Sequence, residues 1–142
     1  MRLGGIEIPH THHAVGHSDA DALLHALTDA LLGAAALGDI GDWFPDTDPE
    51  NRNRDSADML GRALAAVVRA GFRVVNVDCV IMLQRPKLAP HKRALCDRLA
   101  QLLGIPANCV SVKAKTGEGL GPVGREEAIV TQCVVLLQRT SE

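Results

Sequence analysis

The chain has no tyrosine, and Trp43, Phe44 and Phe72 are its whole aromatic content. Single-stranded nucleic-acid modules stack bases on aromatic platforms, so that class is close to excluded. An excess of charge is also missing. Fifteen Lys and Arg stand against 17 Asp and Glu, for a net charge of −2, which gives no general attraction to nucleic acid or an anionic membrane. An anionic substrate would need a local cluster of cations. Cys79, Cys96, Cys109 and Cys133 show no Cys-x-x-Cys spacing. They read as small buried hydrophobes in a reducing compartment, not as a disulfide frame or a zinc knuckle. No apolar run reaches membrane-spanning length, and no basic stretch followed by an apolar one opens the chain. The default expectation is a soluble cytoplasmic protein with neither nucleic acid nor membrane as a partner.

What is present is an ordinary globular balance, 46% hydrophobic and 23% charged over 142 residues. That is enough for one domain, 1–142, whose core must be built from Ala, Val, Leu and Ile. "MRLGGIEIP" reads as a hairpin arm with a Gly-Gly turn. Ser18, with Asp21 three residues on, predicts a helix start, so a first helix is expected from about Asp19 to about Leu37, stopped by Gly38. Residues 38–55 form the longest irregular segment. A second helix is expected from near Ser56 to Gly71, and a third with Pro90 in its first turn, ending at Gly104. "FRVVNVDCVIML", "CVSVKAKT" and "EEAIVTQCVVLLQR" read as strands, and "GEGLGPVG" as a glycine-rich loop. Interleaved strands and helices in one domain predict an α+β two-layer sandwich, a mixed β-sheet packed on helices.

Four stretches could carry chemistry. In "HSDADALLHALTDALLG", Asp21, His25 and Asp29 share one helical face, with His17 just before the helix. A solvated stripe with a helix-dipole contribution explains the acids but not a mid-helix histidine. In "GDIGDWFPDTDP", Asp39, Asp42, Asp46 and Asp48 suit Asx turns, and their spacing does not fit an EF-hand. "KAKTGEGLGPVGR" brackets glycines with Lys113, Lys115 and Arg125. Backbone N–H groups could approach an anion there, although it is not a Walker A loop. "QRPKLAPH" is either a basic turn or a rigid cleft wall.

Taken in order, "GHSDADALLHALTDALLGAAALGDIGDWFPDTDP", "QRPKLAPH" and "VKAKTGEGLGPVGR" closely resemble the 2-C-methyl-D-erythritol 2,4-cyclodiphosphate synthase family, from about Leu3 to about Leu137. The resemblance implies a phosphorus–oxygen lyase of the non-mevalonate isoprenoid pathway. Such an enzyme converts 4-diphosphocytidyl-2-C-methyl-D-erythritol 2-phosphate to the 2,4-cyclodiphosphate and releases CMP. It further implies a homotrimer with active sites between adjacent subunits. Carried over, His25 matches a zinc ligand, and His17 and Ser18 match the phosphate site. Asp39, Ile40 and Gly41 match the methylerythritol strip, and Phe44, Pro45, Asp46, Thr47 and Asp48 a mobile loop. Leu83, Gln84, Arg85, Pro86, Lys87, Leu88 and Ala89 match the wall of the cytidine pocket. Lys115, Thr116, Gly117 and Glu118 match the diphosphate strip, where Glu118 would hold magnesium or manganese. His17 and Thr116 would stabilise the transferring phosphoryl group. Pro122 stands in that region, and Arg125 matches a substrate-binding arginine.

The family's opening Asp-x-His, which would complete the zinc site, has no counterpart before Gly4-Gly5. His25 is therefore the one zinc ligand matched, where a catalytic zinc takes three protein ligands. A segment preceding residue 1 is the favoured explanation. A degenerate relative comes next, and replacement ligands from His10, His12 and His13 last. An active metal-dependent cyclase and a catalytically impaired trimeric nucleotide-binding relative both remain open.

Overall fold

Gly4 and Gly5 both take positive φ, 62° and 78°, and join β1 (Arg2–Leu3) to β2 (Ile6–Glu7) in a two-residue hairpin. Glycine alone adopts such angles freely, so the Gly-Gly pair sets the turn. The computed structural model describes residues 1–10 and 20–141. Ser18, expected to cap the first helix, lies outside them. The helix starts later than that cap predicts: α1 spans Ala22–Ala34, with Asp21 as N-cap. Ala20 has a left-handed φ of 59° and Asp21 an extended ψ of 96°, so neither residue can belong to the helix.

The end of α1 also differs from expectation. It stops before Leu37, because Ala36 takes a left-handed φ of 56°. The Ala36 N–H then reaches the Gly33 carbonyl at 3.0 Å and the Leu37 N–H the Leu32 carbonyl at 2.8 Å, a Schellman closure. Alanine pays a steric cost there that glycine does not. Ala36→Gly is expected to stabilise the protein by about 1 kcal/mol in urea denaturation.

Residues 38–55 are less irregular than their composition suggests. They hold the short helix α2 (Ile40–Trp43) and a 3-10 turn, Pro49–Asn51. The second helix forms as read, α3 at Ser56–Arg69. Helix α4 spans Lys92–Leu103 and is closed by Gly104 at φ 68°, but Pro90 lies in a preceding 3-10 turn, Ala89–His91, and not in its first turn. All three predicted strands form: β3 (Phe72–Met82), β4 (Val110–Lys115) and β5 (Val130–Arg139). The glycine-rich loop contains the one-turn helix α5 (Gly121–Gly124).

The sheet has the order β4-β3-β5, with β4 parallel and β5 antiparallel to β3. Helix α1 packs on β5, α3 on β3 and α4 on β4. Together they bury Leu27, Leu31, Leu60, Val77, Ile81 and Leu99 completely. This is the mixed-sheet, two-layer α+β arrangement. The strands alternate as a one-sided sheet requires: on β5, Cys133, Val135 and Leu137 pack into the core while Val134 and Leu136 face outward, 70% and 58% exposed. On the same outer face Lys113 Nζ lies 2.8 Å from Asp78 Oδ2. That hydrogen bond holds the Asp78 carboxyl below its usual range. The folded value is the lower one. The stabilisation it brings is therefore present above the ordinary carboxylate pKa of about 4 and is lost as pH falls through the lowered value.

Candidate active site

Strands β3 and β4 run parallel and end side by side at Met82 and Lys115. Loops leaving the carboxyl ends of parallel strands form a crevice, a frequent ligand position in α/β sheets. Here the loop after β3 is 83–88 and the loop after β4 is 116–120. The Leu83 N–H extends the ladder by one bond, 2.8 Å to the Lys115 carbonyl. Gln84 braces the two loops: its Oε1 accepts from the N–H groups of Gly117 at 3.1 Å and Gly119 at 3.4 Å. The result is a cleft of about 380 Å³ lined by Gln84, Arg85, Pro86, Lys87 and Thr116. A neighbouring recess of about 140 Å³ adds Leu83, Leu88, Ala89, Ala114 and Lys115. The Arg85-Pro86 peptide is cis.

The glycine loop is closed by backbone packed on backbone. A Cβ on Gly117 would lie 2.6 Å from Gly124 N, and one on Gly124 would lie 2.3 Å from Gly119 C. No side chain fits at either position, which is why the segment is glycine-rich. Its amides do not point at solvent in search of an anion. Those of Gly117 and Gly119 go to Gln84, that of Glu118 to Thr116 Oγ1 at 3.1 Å, and that of Leu120 to the Gly117 carbonyl at 2.9 Å. The positive character of the cleft therefore comes from Arg85, Lys87 and Lys115, all exposed, and not from a nest of backbone N–H groups. Glu118 is exposed at a left-handed φ of 52°. Pro122 opens α5. Arg125 lies just beyond that helix, paired with Glu127 at 3.1 Å, and does not line the cleft; Arg85 pairs with Glu126 at 3.1 Å.

A second group of residues gathers around the first turns of α1 and α3. His25 Nε2 and Ser56 Oγ are 2.8 Å apart. Asp29 Oδ1 accepts from the Ile40 N–H at 2.7 Å and so fixes the start of α2, whose cap is the reciprocal pair Asp39 and Asp42. This places Asp39, Ile40 and Gly41 beside α1. In the following loop Phe44 is buried, with the Arg54 guanidinium 5.6 Å from its ring centroid. It anchors the loop rather than facing a ligand, while Pro45, Asp46 and Thr47 are exposed. Asp48 caps the 3-10 turn through the Glu50 N–H at 3.0 Å.

The sequence reading missed two braces of this loop. Asn51, 4% exposed, donates through Nδ2 to the Pro45 carbonyl at 2.7 Å, and its Oδ1 accepts from Arg54 Nε at 3.0 Å. An Asn between Pro, Glu and Arg carries only a turn signal, so nothing in the sequence marked it. His17 and Ser18, together with His12 and His13, lie outside the described residues. Neither group shares a lining residue with the other. They do lie toward the same end of the sheet: Thr131, which pairs with Ile81 near the end of β3, donates to the Ala22 carbonyl at the start of α1 at 2.8 Å.

Among the described residues no three His, Cys, Asp or Glu side chains come together as a metal site. His25 Nε2 lies 2.8 Å from Ser56 Oγ, and among the described residues no metal-binding group includes it. The described residues therefore do not fit a zinc ion, and no step below is routed through one.

The profile of the YgbB family matches residues 1–138. A 2-C-methyl-D-erythritol 2,4-cyclodiphosphate synthase from Dechloromonas aromatica is 57% identical over 96% of this chain and 86% of its own. Its namesake from Gemmatimonas aurantiaca is 57% identical over 91% of this chain and 78% of its own. Among solved structures, a 2C-methyl-D-erythritol-2,4-cyclodiphosphate synthase superposes with a TM-score of 0.89 at 46% identity, covering 97% of this chain and 89% of that one. A CDP-bound form superposes with a TM-score of 0.89 at 43% identity. The bifunctional IspDF from Campylobacter jejuni gives a TM-score of 0.94 at 41% identity, but this chain spans only 38% of that protein. With a matching profile over nearly its full length and relatives above half identity, the chain belongs to the YgbB family, whose curated relatives here are 2-C-methyl-D-erythritol 2,4-cyclodiphosphate synthases.

Proposed function

We propose that the protein cyclises 4-diphosphocytidyl-2-C-methyl-D-erythritol 2-phosphate to 2-C-methyl-D-erythritol 2,4-cyclodiphosphate, with release of CMP. The observation that carries this reading is the cleft at the ends of β3 and β4. It has an apolar wall for a planar base (Leu83, Pro86, Leu88 and Ala89) and two lysines at its mouth. That combination suits a nucleotide: a flat group against the wall, anionic phosphates at the cations.

The chemistry asks little of a general base, because the attacking 2-phosphate oxygen is already an anion. It asks for two phosphates to be brought together and their repulsion relieved. Lys115 and Lys87 would neutralise the diphosphate. Thr116 Oγ1 already accepts from the Glu118 N–H, so its hydroxyl hydrogen is left to donate to a phosphoryl oxygen. Asp39 and the backbone of Ile40 and Gly41 would hold the polyol, with loop 44–48 closing over it. His17 and Ser18 belong to the phosphate end of this scheme, and Arg125 would need to leave Glu127 to join it. Divalent-metal dependence accompanies the family. His25 is the one residue matched toward zinc and Glu118 the one matched toward magnesium or manganese, and no step here is routed through either metal.

The direct test is incubation with the diphosphocytidyl substrate and magnesium, followed by phosphorus NMR. Equal amounts of cyclic diphosphate and CMP are expected, and activity should vanish after EDTA dialysis. Binding of CDP without turnover would favour the non-catalytic nucleotide-binding reading. Asn51→Ala should raise KM about tenfold with a smaller effect on kcat, because it loosens the loop without touching the cleft.

The reading includes a homotrimer with sites between subunits. The apolar outer face of the sheet supports it: Met82, Val130, Val134 and Leu136 are 37%, 40%, 70% and 58% exposed. Light scattering is expected to give three times the 15.1 kDa chain mass, and Val134→Glu to give monomer.

A further inference from the structure

Cys79 and Cys133 sit directly opposite each other on β3 and β5. Their sulfurs are 3.3 Å apart, with Cys133 Sγ–H donating to Cys79 Sγ. Cys79 is wholly buried, and Cys133 is half-buried between the sheet and α1. A disulfide bond is about 2.05 Å long and is restricted to closely spaced Cα pairs. Opposed residues of an antiparallel pair lie within that spacing, so closing the remaining gap needs side-chain adjustment and no strand movement. The other two thiols are placed differently: Cys96 is on α4, and Cys109, in the turn before β4, has its Sγ 3.6 Å from Asn108 Oδ1.

We propose that Cys79 and Cys133 form a redox-convertible dithiol, closed to a cross-strand disulfide by hydrogen peroxide. Cys133, the more accessible sulfur, attacks peroxide as the thiolate. It becomes a sulfenic acid as the O–O bond breaks, and the departing oxygen leaves as water after taking up a proton. Cys79 then attacks the sulfenic sulfur, the S–S bond forms, and a second water leaves. In sum, two thiols and one peroxide give one disulfide and two waters, the thiols supplying both electrons. The bond fastens β5 to β3 beneath α1, the helix that carries His25 and Asp29.

The pair should stay reduced under mild conditions. Its mutual hydrogen bond and burial push the Cys133 thiol far above its ordinary range, so little thiolate exists at neutral pH. Oxidation should therefore be slow and should quicken about tenfold per pH unit between pH 7 and 9.

The test is oxidation of the whole native chain with limiting hydrogen peroxide, followed by denaturing alkylation and peptide mass mapping. The expected product has lost two hydrogens, carries alkyl groups on Cys96 and Cys109 only, and yields a cross-linked peptide joining Cys79 to Cys133. Its thermal midpoint should rise by several degrees and return on adding dithiothreitol. In Cys133→Ala no cross-link should form under the same dose. Cys79→Val, which keeps the buried volume close, should leave Cys133 as a sulfenic or higher acid. A chain alkylated at all four cysteines, a bond from Cys79 to Cys96, or a product with an unchanged midpoint would overturn the proposal.

Discussion

Asp21→Ala is expected to destabilise the protein by about 3 kcal/mol, the largest stability effect of any single polar substitution proposed for this chain. The side chain is fully buried. One carboxylate oxygen accepts from the Gly4 N–H at 2.8 Å and the Leu24 N–H at 3.0 Å, and the other from the Gly5 N–H at 2.8 Å. Asp21 thus caps α1 and also clamps the hairpin turn onto its start. Alanine leaves those donors without their acceptors, and an unmatched buried amide costs more than the bond was worth. Asp21→Asn keeps one acceptor oxygen and should cost about half as much. Urea denaturation at one fixed chain concentration measures both. An alanine variant within 0.5 kcal/mol of the parent would show that the clamp contributes little.

Gly124→Ala should lower the rate of CMP release by at least about a hundredfold, because a small displacement of positioned groups is enough for such a loss. The added Cβ would lie 2.3 Å from Gly119 C and 2.8 Å from Gly119 Cα. Both are backbone atoms with no side chain to rotate away. The loop has to open, and with it goes the Gln84 brace that holds the cleft's two walls together. The fold should survive, since the loop lies outside the helix-covered core. Circular dichroism and a thermal midpoint within a few degrees of the parent, alongside the lost turnover, would separate a site effect from unfolding. Gly33→Ala is the matched control. Its Cβ meets nothing within 4 Å, so activity should be unchanged.

Much of the architecture was legible because it rests on local signals. The β-branched run 72–82 and the Val-rich run 130–139 became the central and antiparallel strands, and Gly4-Gly5 became the hairpin turn. Gly104 closed α4 as its type predicts. The ends of α1 failed for an identifiable reason. Ser18 looked like the cap, but the residue whose side chain caps α1 is Asp21, whose decisive partners lie 16 and 17 residues upstream. At the other end Ala36 took the left-handed position expected of Gly38. The Asx-rich segment 38–55 hid a short helix, because α2 is held by Asp29 from a different element as well as by its own Asp39–Asp42 cap.

By itself, the sequence determined the fold class, the aromatic-poor and near-neutral composition, and the motif order that carries the family resemblance. Those depend on residue type and spacing, which a linear reading preserves. The tertiary structure decided what each motif is for. It joined "QRPKLAP" to "KTGEG" through the parallel pairing of β3 and β4, and it turned the glycine loop's amides inward, leaving Arg85 and the lysines to supply the charge. It made Asp29 a brace for α2 and Phe44 an anchor. It also set Cys79 against Cys133, 54 residues apart in the chain. None of these follows from local pattern, because each is a contact between elements set by strand register or by the packing of helices and loops on the sheet.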